Sequence, residues 1–183
     1  AVICIVLSIL TPAFLSRGNI INVLRQASMT AICAVGMSML ILLGGIDLSV
    51  GSVQALVGVI TVYMVNLSGN IWLGILAGLL AGVVTGLING IIVTVMGLTP
   101  LIATLGTMSI FSGIALVATK AVSIQVQVDA FSLIGTGYAG ILPIPVIIAF
   151  VLIVIFWYVL NQTTFGRSIY AIGGNPTSAG LAG

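Results

Sequence analysis

The feature that most constrains this chain is a run of 72 residues, Leu48 to Thr119, that contains no charged side chain. A helix that crosses the roughly 30 Å hydrocarbon core of a bilayer needs about 20 mainly apolar residues, so this run holds about three spans. The strands of a transmembrane barrel would alternate apolar and polar residues in segments of about ten, and this run does not. The run therefore predicts membrane-spanning helices.

Composition extends this conclusion to the whole chain. Of 183 residues, 4 are Lys or Arg, 2 are Asp or Glu, and 61% are hydrophobic. A soluble domain carries about 25% charged residues, and 3% cannot cover its surface. The net charge of +2, with no basic cluster, argues against nucleic-acid binding. We predict an all-α, polytopic membrane protein. Because residue 1 is not Met and the chain stops as it turns apolar again, we expect a piece of a longer protein.

Charges, Gly, Pro and Asn divide the chain into about six predicted spans. These are Ala1–Leu15, Ala27–Ile46, Val50–Leu67, Ile71–Met96, Leu101–Thr119 and Ala139–Leu160. The connector Ser16–Gln26 is amphipathic enough to form a short interfacial helix. Lys120–Tyr138 is predicted to be a polar loop, and Asn161–Gly183 a polar tail rich in Gly.

The fourth predicted span carries a strip of small residues. Glycines recur at every fourth position: Gly74, Gly78, Gly82, Gly86 and Gly90. Small residues let helix backbones approach closely inside a membrane. We favour packing inside one subunit over an interface between subunits.

The segment Lys120–Asp129 has a different period. Val122, Ile124, Val126 and Val128 alternate with polar residues, which is typical of an extended strand with one face covered. Such a segment cannot face lipid, because its backbone groups would lack partners. We expect it on the water side, as a hairpin capping the helices or, less favoured, as a docking site for a partner.

The residues allow almost no enzymatic chemistry. Without His, neither a Ser-His arrangement nor a His metal cage can form, and no metal site or cofactor is predicted. Asp47 and Asp129 are separated by three spans, and Lys120 does not end a phosphate-binding loop. We therefore predict no catalytic residues and no enzyme. If transport uses ATP, another subunit hydrolyses it.

Asp47 is the charge that needs an explanation. An ionisable group at membrane depth is costly and usually functional. It follows Gly44-Gly45 and precedes Ser49, so Asp47 or Ser49 can end one helix and cap the next. We favour capping over direct substrate contact, with proton coupling third.

The tail contains a second pattern. Asn175 followed by Pro176 is typical of an N-cap and the first helical position, so a short helix is predicted from Pro176 to about Ala182. Residues 173–182 would form a rigid knob outside the hydrocarbon. It is either an ordinary loop between spans or a docking element for a cytoplasmic partner.

Two motifs carry a resemblance that covers essentially the whole chain. The segments Gly44–Ser52 and Phe165–Pro176, supported by Asn89-Gly90 and Ala103–Met108, resemble the permease subunit of bacterial ABC importers for simple sugars, the ribose-type permease family. The resemblance implies a type II importer of the bacterial inner membrane. Two permease subunits, alike or different, would form the pathway, cytoplasmic ATPase subunits would dock below, and a periplasmic binding protein would deliver a pentose or hexose.

The resemblance also implies roles for residues. The ATPase would couple through Gly166, Arg167, Gly173, Gly174, Asn175, Pro176 and Ala179. The pathway should be polar and mainly uncharged, and residue type adds candidates within the spans to the helix break. Together these pathway and break candidates are Asp47, Ser49, Ser52, Gln54, Asn89, Thr104, Thr107 and Ser109.

Topology and two other function classes follow from the same residues. With Arg167 cytoplasmic, counting spans places Lys120–Tyr138, Arg17 and Arg25 outside, against the positive-inside tendency. A re-entrant segment around Asp47 would change this count. One alternative is an ion- or proton-coupled secondary transporter that uses Asp47, and another is a scaffold subunit that packs through the Gly strip. The sequence does not identify the sugar.

Overall fold

The computed structural model describes residues 2–11 and 13–182, and the described chain is mainly helical. Its helices are α1 Val2–Leu10, α2 Arg17–Leu42, α3 Val50–Ser68, α4 Ile71–Thr94, α5 Pro100–Thr119, α6 Asp129–Thr136, α7 Ile144–Gln162, α8 Thr164–Gly174 and α9 Pro176–Ala182. Strands β1 Tyr138–Ala139 and β2 Leu142–Pro143 form an antiparallel hairpin in which Tyr138 pairs with Pro143.

Five helices confirm the predicted membrane class. Among the described residues, α2, α3, α4, α5 and α7 are long and apolar enough to cross a bilayer. The predicted first span, Ala1–Leu15, is different: α1 has nine residues, or about 14 Å at 1.5 Å per residue. The chain turns at residues 13–15 before α2 begins, while Ala1 and Pro12 lie outside the described residues.

The prediction of a separate interfacial helix at Ser16–Gln26 is wrong. This segment forms the first turns of α2, which begins at Arg17 and has 26 residues. Ser16 explains the start, because its hydroxyl accepts the Asn19 N–H at 3.3 Å and its carbonyl accepts the Ile20 N–H at 3.0 Å. A serine at this place is a common N-cap.

The chain forms two compact units, which we describe separately. The first comprises residues 1–36 and 133–167, and the second comprises residues 37–132 and 168–183. In the second unit, α3 packs against both α4 and α5. Its apolar core contains Leu56, Phe111 and Ala115, and the Val65 side chain is completely buried.

The glycine strip of α4 supports packing within the chain only for its first half. A side chain at Gly74 would collide with Val65, and one at Gly78 with Thr61, both on α3. Gly86 and Gly90 face open space among the described residues, so their predicted packing role is not seen within this chain.

In the second half of α4 the buried residues are Thr85 and Asn89, not the glycines. Four residues rotate a helix by about 400°, so a strip of residues spaced by four gradually turns away from one fixed face. Gly82 lies between the two halves, where an added Cβ would make only ordinary contact with Val57 at 3.9 Å.

The strand predicted within Lys120–Asp129 does not form. The alternation is nevertheless present, because Ile124, Val126 and Val128 are half-buried while the polar residues between them are exposed. The Asn66 side chain takes the place of a neighbouring strand. Its amide donates to the Gln125 carbonyl at 2.8 Å and accepts the Gln127 N–H at 2.9 Å.

In the first unit, Arg25 holds the hairpin region to α2. Its guanidinium donates to the Thr136 carbonyl at 3.0 Å and lies 5.3 Å from the centre of the Tyr138 ring. The contact places Arg25 at the same end as this hairpin, as span counting predicts. The hairpin also explains why α7 begins at Ile144 and not at the predicted Ala139.

Substitution of two glycines of α4 should separate close packing from helix propensity. Gly74→Ala should lower the free energy of unfolding by about 1–3 kcal/mol, because the methyl group overpacks the contact with Val65 and the Thr61 carbonyl. Gly86→Ala, in open space, should be neutral or stabilising by up to about 1 kcal/mol. Thermal unfolding in detergent, followed by circular dichroism, measures both. Equal effects would contradict the packing assignment.

Candidate functional site at a helix break

The break between α2 and α3 begins with a glycine-dependent helix end. Gly44 has a positive φ of 80°, a conformation that costs glycine little. The Gly44 N–H bonds to the Ile41 carbonyl and the Gly45 N–H to the Leu40 carbonyl, both at 2.9 Å. These two bonds are the pair that ends many helices in a Schellman motif, so α2 stops here although the following residues are apolar.

Asp47 and Ser49 form the next part of the break. Asp47 Oδ1 accepts hydrogen bonds from both the backbone N–H and the hydroxyl of Ser49, each at 2.6 Å. Ser49 occupies the N-cap position of α3, but its side chain makes no capping bond to that helix. The predicted capping by Asp47 or Ser49 is therefore indirect. Asp47 bonds to Ser49 and so fixes the residue that precedes the first turn of α3.

Two further bonds tie the break to neighbouring helices. The Asn89 side chain on α4 donates to the Ser49 hydroxyl at 2.8 Å, and the Thr104 hydroxyl on α5 accepts the Leu48 N–H at 3.1 Å. Ser49 is 0% exposed and Asn89 8% exposed. The break is therefore a polar cluster between the starts of α3 and α5 and the end of α4, defined by Asp47, Leu48, Ser49, Asn89 and Thr104. Ser49, Asn89 and Thr104 are buried, Asp47 is half-buried, and the exposed Leu48 contributes its backbone N–H.

The cluster suits hydrogen bonding and not acid–base or nucleophilic chemistry. It has one carboxylate, two hydroxyls and one amide, and the Ser49 hydroxyl is already used as donor and acceptor. Asn89 Oδ1 is buried without a hydrogen-bond partner among the described residues. Such groups donate and accept hydrogen bonds.

Among the described residues, no bond between two side chains joins the other predicted pathway residues to the cluster. Ser52 and Thr107 are buried, and their hydroxyls donate to the carbonyls of Ser49 at 2.7 Å and Thr104 at 3.3 Å. Ser109 bonds within its own helix, and Gln54 is exposed. Bonding to a carbonyl of the same helix is common for Ser and Thr in membrane helices. The residue type alone therefore did not predict which of these side chains bond to a neighbouring helix.

The tail contains two helices where the sequence analysis predicted one. The predicted short helix is confirmed as α9, and Asn175 caps it by accepting the Ser178 N–H at 3.0 Å. The preceding segment, predicted only to be a polar tail rich in Gly, forms α8, which includes Gly173 and Gly174. The missed signal was Thr163, whose hydroxyl accepts the Gly166 N–H at 3.2 Å as an N-cap does.

Two glycines of α8 make close backbone approaches. A side chain at Gly166 would collide with the Leu160 carbonyl, and one at Gly173 with the Leu42 carbonyl at the end of α2. Gly174 faces open space, and Arg167 is exposed. The contact of α8 with Leu42 was not predicted, because a backbone carbonyl leaves no signal in a sequence.

Comparison with known proteins places these features in a family. Residues 19–183 match the family described as branched-chain amino acid transport system, permease component. The chain belongs to this family of membrane permease components. Together with the five apolar helices, membership makes this permease a multi-pass protein of the bacterial inner membrane.

Individual relatives are similar over nearly the whole permease chain. It is 43% identical to the ribose import permease protein of Haemophilus influenzae over 97% of this chain and 56% of that protein. It is 42% identical to the ribose import permease protein of Bacillus subtilis over 100% of this chain and 57% of that protein. It is 38% identical to the L-arabinose transport system permease protein of Escherichia coli over 100% of this chain and 56% of that protein.

The permease chain thus spans little more than half the length of these curated relatives. No solved structure matches it.

A double-mutant cycle should detect the bond between α3 and α4. Ser49→Ala and Asn89→Ala should each destabilise the protein by about 1–3 kcal/mol, because each leaves a buried polar group without its partner. The cycle should give a coupling energy of about 0.5–2 kcal/mol. Denaturant titration of the full-length protein in detergent measures it.

Ser109→Ala is the matched control for this cycle. Ser109 is exposed and bonds only to the Leu105 carbonyl of its own helix, so its substitution should change stability by at most about 0.5 kcal/mol. Additive effects of Ser49→Ala and Asn89→Ala would show that the interhelical bond contributes nothing.

Proposed function

We propose that this permease forms part of the translocation pathway of an ATP-driven importer for a monosaccharide. The observation that carries the proposal is the identity of 37–43% to permeases named for ribose import, over nearly all of this chain. Relatives at 38% are named for L-arabinose and D-allose transport. All three names denote neutral molecules with many hydroxyl groups, and they leave the choice between pentose and hexose open.

The chemistry of the helix break is compatible with such a substrate. Sugar hydroxyls both donate and accept hydrogen bonds, and the cluster combines a carboxylate, hydroxyls and an amide with one unpartnered acceptor, Asn89 Oδ1. We propose that Asp47, Ser49, Asn89 and Thr104 lie beside the pathway and fix the positions of the helices that form its wall. The weaker candidates are Ser52, Gln54, Thr107 and Ser109. The hydroxyls of Ser52 and Thr107 reach only backbone carbonyls of the cluster, Ser109 bonds within its own helix, and Gln54 is exposed.

The energy source and partners are proposed to lie outside this chain. The chain has no His or Glu and no phosphate-binding loop, which supports ATP hydrolysis in cytoplasmic ATPase subunits. A second permease subunit and a periplasmic binding protein would complete the importer.

The coupling element proposed here includes α8 as well as α9. Both helices follow the last apolar helix, and most of their residues are exposed. The residues proposed to couple are Gly166, Arg167, Gly173, Gly174, Asn175, Pro176 and Ala179. Capping by Asn175 supports a docking element of fixed shape.

Coupling to an ion gradient through Asp47 is the alternative, and conservative substitution tests it. Asp47→Asn keeps an oxygen that can accept the Ser49 N–H, so ATP-dependent uptake should stay within about 3-fold of the unmodified protein. Asp47→Ala removes the acceptor and should lower uptake by about 10-fold or more. Uptake of labelled pentoses and hexoses into proteoliposomes that contain the complete importer measures both variants. Loss of uptake in Asp47→Asn, with sensitivity to an ionophore, would favour the ion-coupled alternative.

Crosslinking should locate the partner ATPase. Cysteines introduced as Thr177→Cys or Ser178→Cys in α9 should crosslink to the co-expressed ATPase, because both positions are exposed beside the Asn175 cap. Val122→Cys, at an exposed position after α5, is the matched control and should not crosslink. The native Cys4 and Cys33 are first replaced by Ala. A protein that inserts correctly but gives no crosslink from α9 would contradict the coupling assignment.

A further inference from the structure

The hairpin in front of α7 carries an isoleucine at its turn. The register of β1 and β2 leaves a loop of two residues, Gly140 and Ile141. Gly140 has a positive φ of 67°, the conformation that favours glycine at the first position of such loops. Ile141 is 73% exposed, although turns mainly use Gly, Pro and small polar residues. An apolar side chain in this position is unusual for a turn that faces water.

The residues on both sides of the turn are also apolar and exposed. Tyr138 is 52% and Leu142 49% exposed. Tyr138 pairs with the buried Pro143, and successive side chains of a strand point to opposite faces, so Tyr138 and Leu142 lie on opposite faces of the hairpin. The hairpin tip, residues 138–142, therefore exposes apolar groups at its end and on both faces.

Two features place the hairpin tip where helices enter the bilayer. The apolar helix α7 begins at Ile144, immediately after β2. On α2, Arg25 is the last charged residue before the uncharged run that ends at Ile46, and its guanidinium lies 5.3 Å from the centre of the Tyr138 ring. Both spanning helices thus pass from polar to apolar sequence beside the hairpin tip.

Phospholipid at this border matches both parts of the surface. Tyrosine is enriched where a bilayer meets water, and the exposed isoleucine and leucine can contact acyl chains. The Nε of Arg25 is buried, so the donors left for an anion are those of its two NH₂ groups, one of which also donates to the Thr136 carbonyl. A headgroup phosphate is the complementary anion at this depth.

The backbone of the hairpin also suits the border and not the hydrocarbon. The two strands satisfy each other along their shared edge, but an open sheet edge does not occur within the hydrocarbon core, where water is absent. The headgroup region contains water that can satisfy the two outer edges. The hairpin is therefore expected among the headgroups, with its side chains reaching the first part of the acyl chains.

We propose that the hairpin tip is a phospholipid-binding anchor, in which Tyr138, Ile141 and Leu142 contact acyl chains near the headgroups and Arg25 binds a headgroup phosphate. Lipid is favoured over a partner protein because the apolar groups lie on both faces of the hairpin. A docked protein surface covers one face, whereas fluid lipid surrounds both. The anchor does not depend on which molecule the permease transports.

Fluorescence quenching of a probe at the turn tests the depth of the hairpin tip. The full-length protein, with Cys4 and Cys33 replaced by Ala, carries Ile141→Cys labelled with a fluorophore, in nanodiscs of phosphatidylglycerol and phosphatidylethanolamine. Lipids with a nitroxide near the headgroup should quench the probe by about 2-fold or more, as expected for insertion by about 5–10 Å. Aqueous iodide should quench it much less than a probe at Gln127→Cys, an exposed position in the segment after α5.

Two results of this experiment would overturn the anchor. Iodide quenching equal to that of the Gln127→Cys control would show that the turn lies in water. Quenching by neither reagent would show that protein covers the turn, as a second copy or another part of the permease would do.

Two arginines of α2 provide a matched test of the phosphate contact. Arg25→Gln should weaken the binding of phosphatidylglycerol by about 5-fold or more, because it removes a charge-assisted bond. Arg17→Gln removes the same charge from an exposed position at the start of the same helix and should change the affinity by at most about 2-fold. Native mass spectrometry of the full-length protein, titrated with this lipid in detergent, measures both.

Arg25→Lys separates the phosphate contact from a displaced hairpin. Lysine keeps the charge as a point charge, so its affinity for phosphatidylglycerol should stay within about 3-fold of the unmodified protein. Equal affinities of Arg25→Gln and Arg17→Gln, or an equal loss in Arg25→Lys and Arg25→Gln, would overturn the assignment of Arg25 to a phosphate.

Discussion

The structure depends on satisfying backbone hydrogen bonds where a helix stops among apolar helices. At membrane depth water does not supply these bonds, so irregular backbone is tolerated only where protein groups do. Between α2 and α3, the amides of Gly44 and Gly45 return to α2, that of Leu48 binds Thr104, and that of Ser49 binds Asp47. This requirement explains why a chain with only two acidic residues places one of them here.

The polar cluster depends in turn on small-residue packing elsewhere. Gly74 and Gly78 let α4 approach α3 closely near one end of the helix pair. The buried line then continues along α4 through Thr85 to Asn89, where the side chain reaches Ser49. Asn89 is 15 residues beyond Gly74, or about 22 Å along the helix. Close packing at one end thus orients the amide that completes the break at the other.

Sequence reasoning succeeded where the signal was local or compositional. Apolar length predicted the five long helices, and the Asn175-Pro176 pair predicted α9. Alternation predicted which face of residues 124–128 is covered, although Val122 is exposed. It failed where a distant group decided the outcome. Asn66 replaces the strand partner beside Gln125, and Thr163 caps a helix in a segment predicted only to be a polar tail rich in Gly. The fourfold glycine spacing did not reveal that Gly86 and Gly90 leave the packed face.

The direction of the hydrogen bonds explains why the acidic residue is at position 47. A carboxylate only accepts, so the Ser49 hydroxyl must donate to Asp47 Oδ1, and the short distance of 2.6 Å fits a charge-assisted bond. The Ser49 oxygen is then left to accept, which requires the amide nitrogen of Asn89 to face it. Asn89 Oδ1 must consequently turn away as the cluster's remaining acceptor. The carboxylate thus sets the polarity of two further side chains, Ser49 and Asn89, and an asparagine at position 47 preserves it while its amide oxygen faces Ser49.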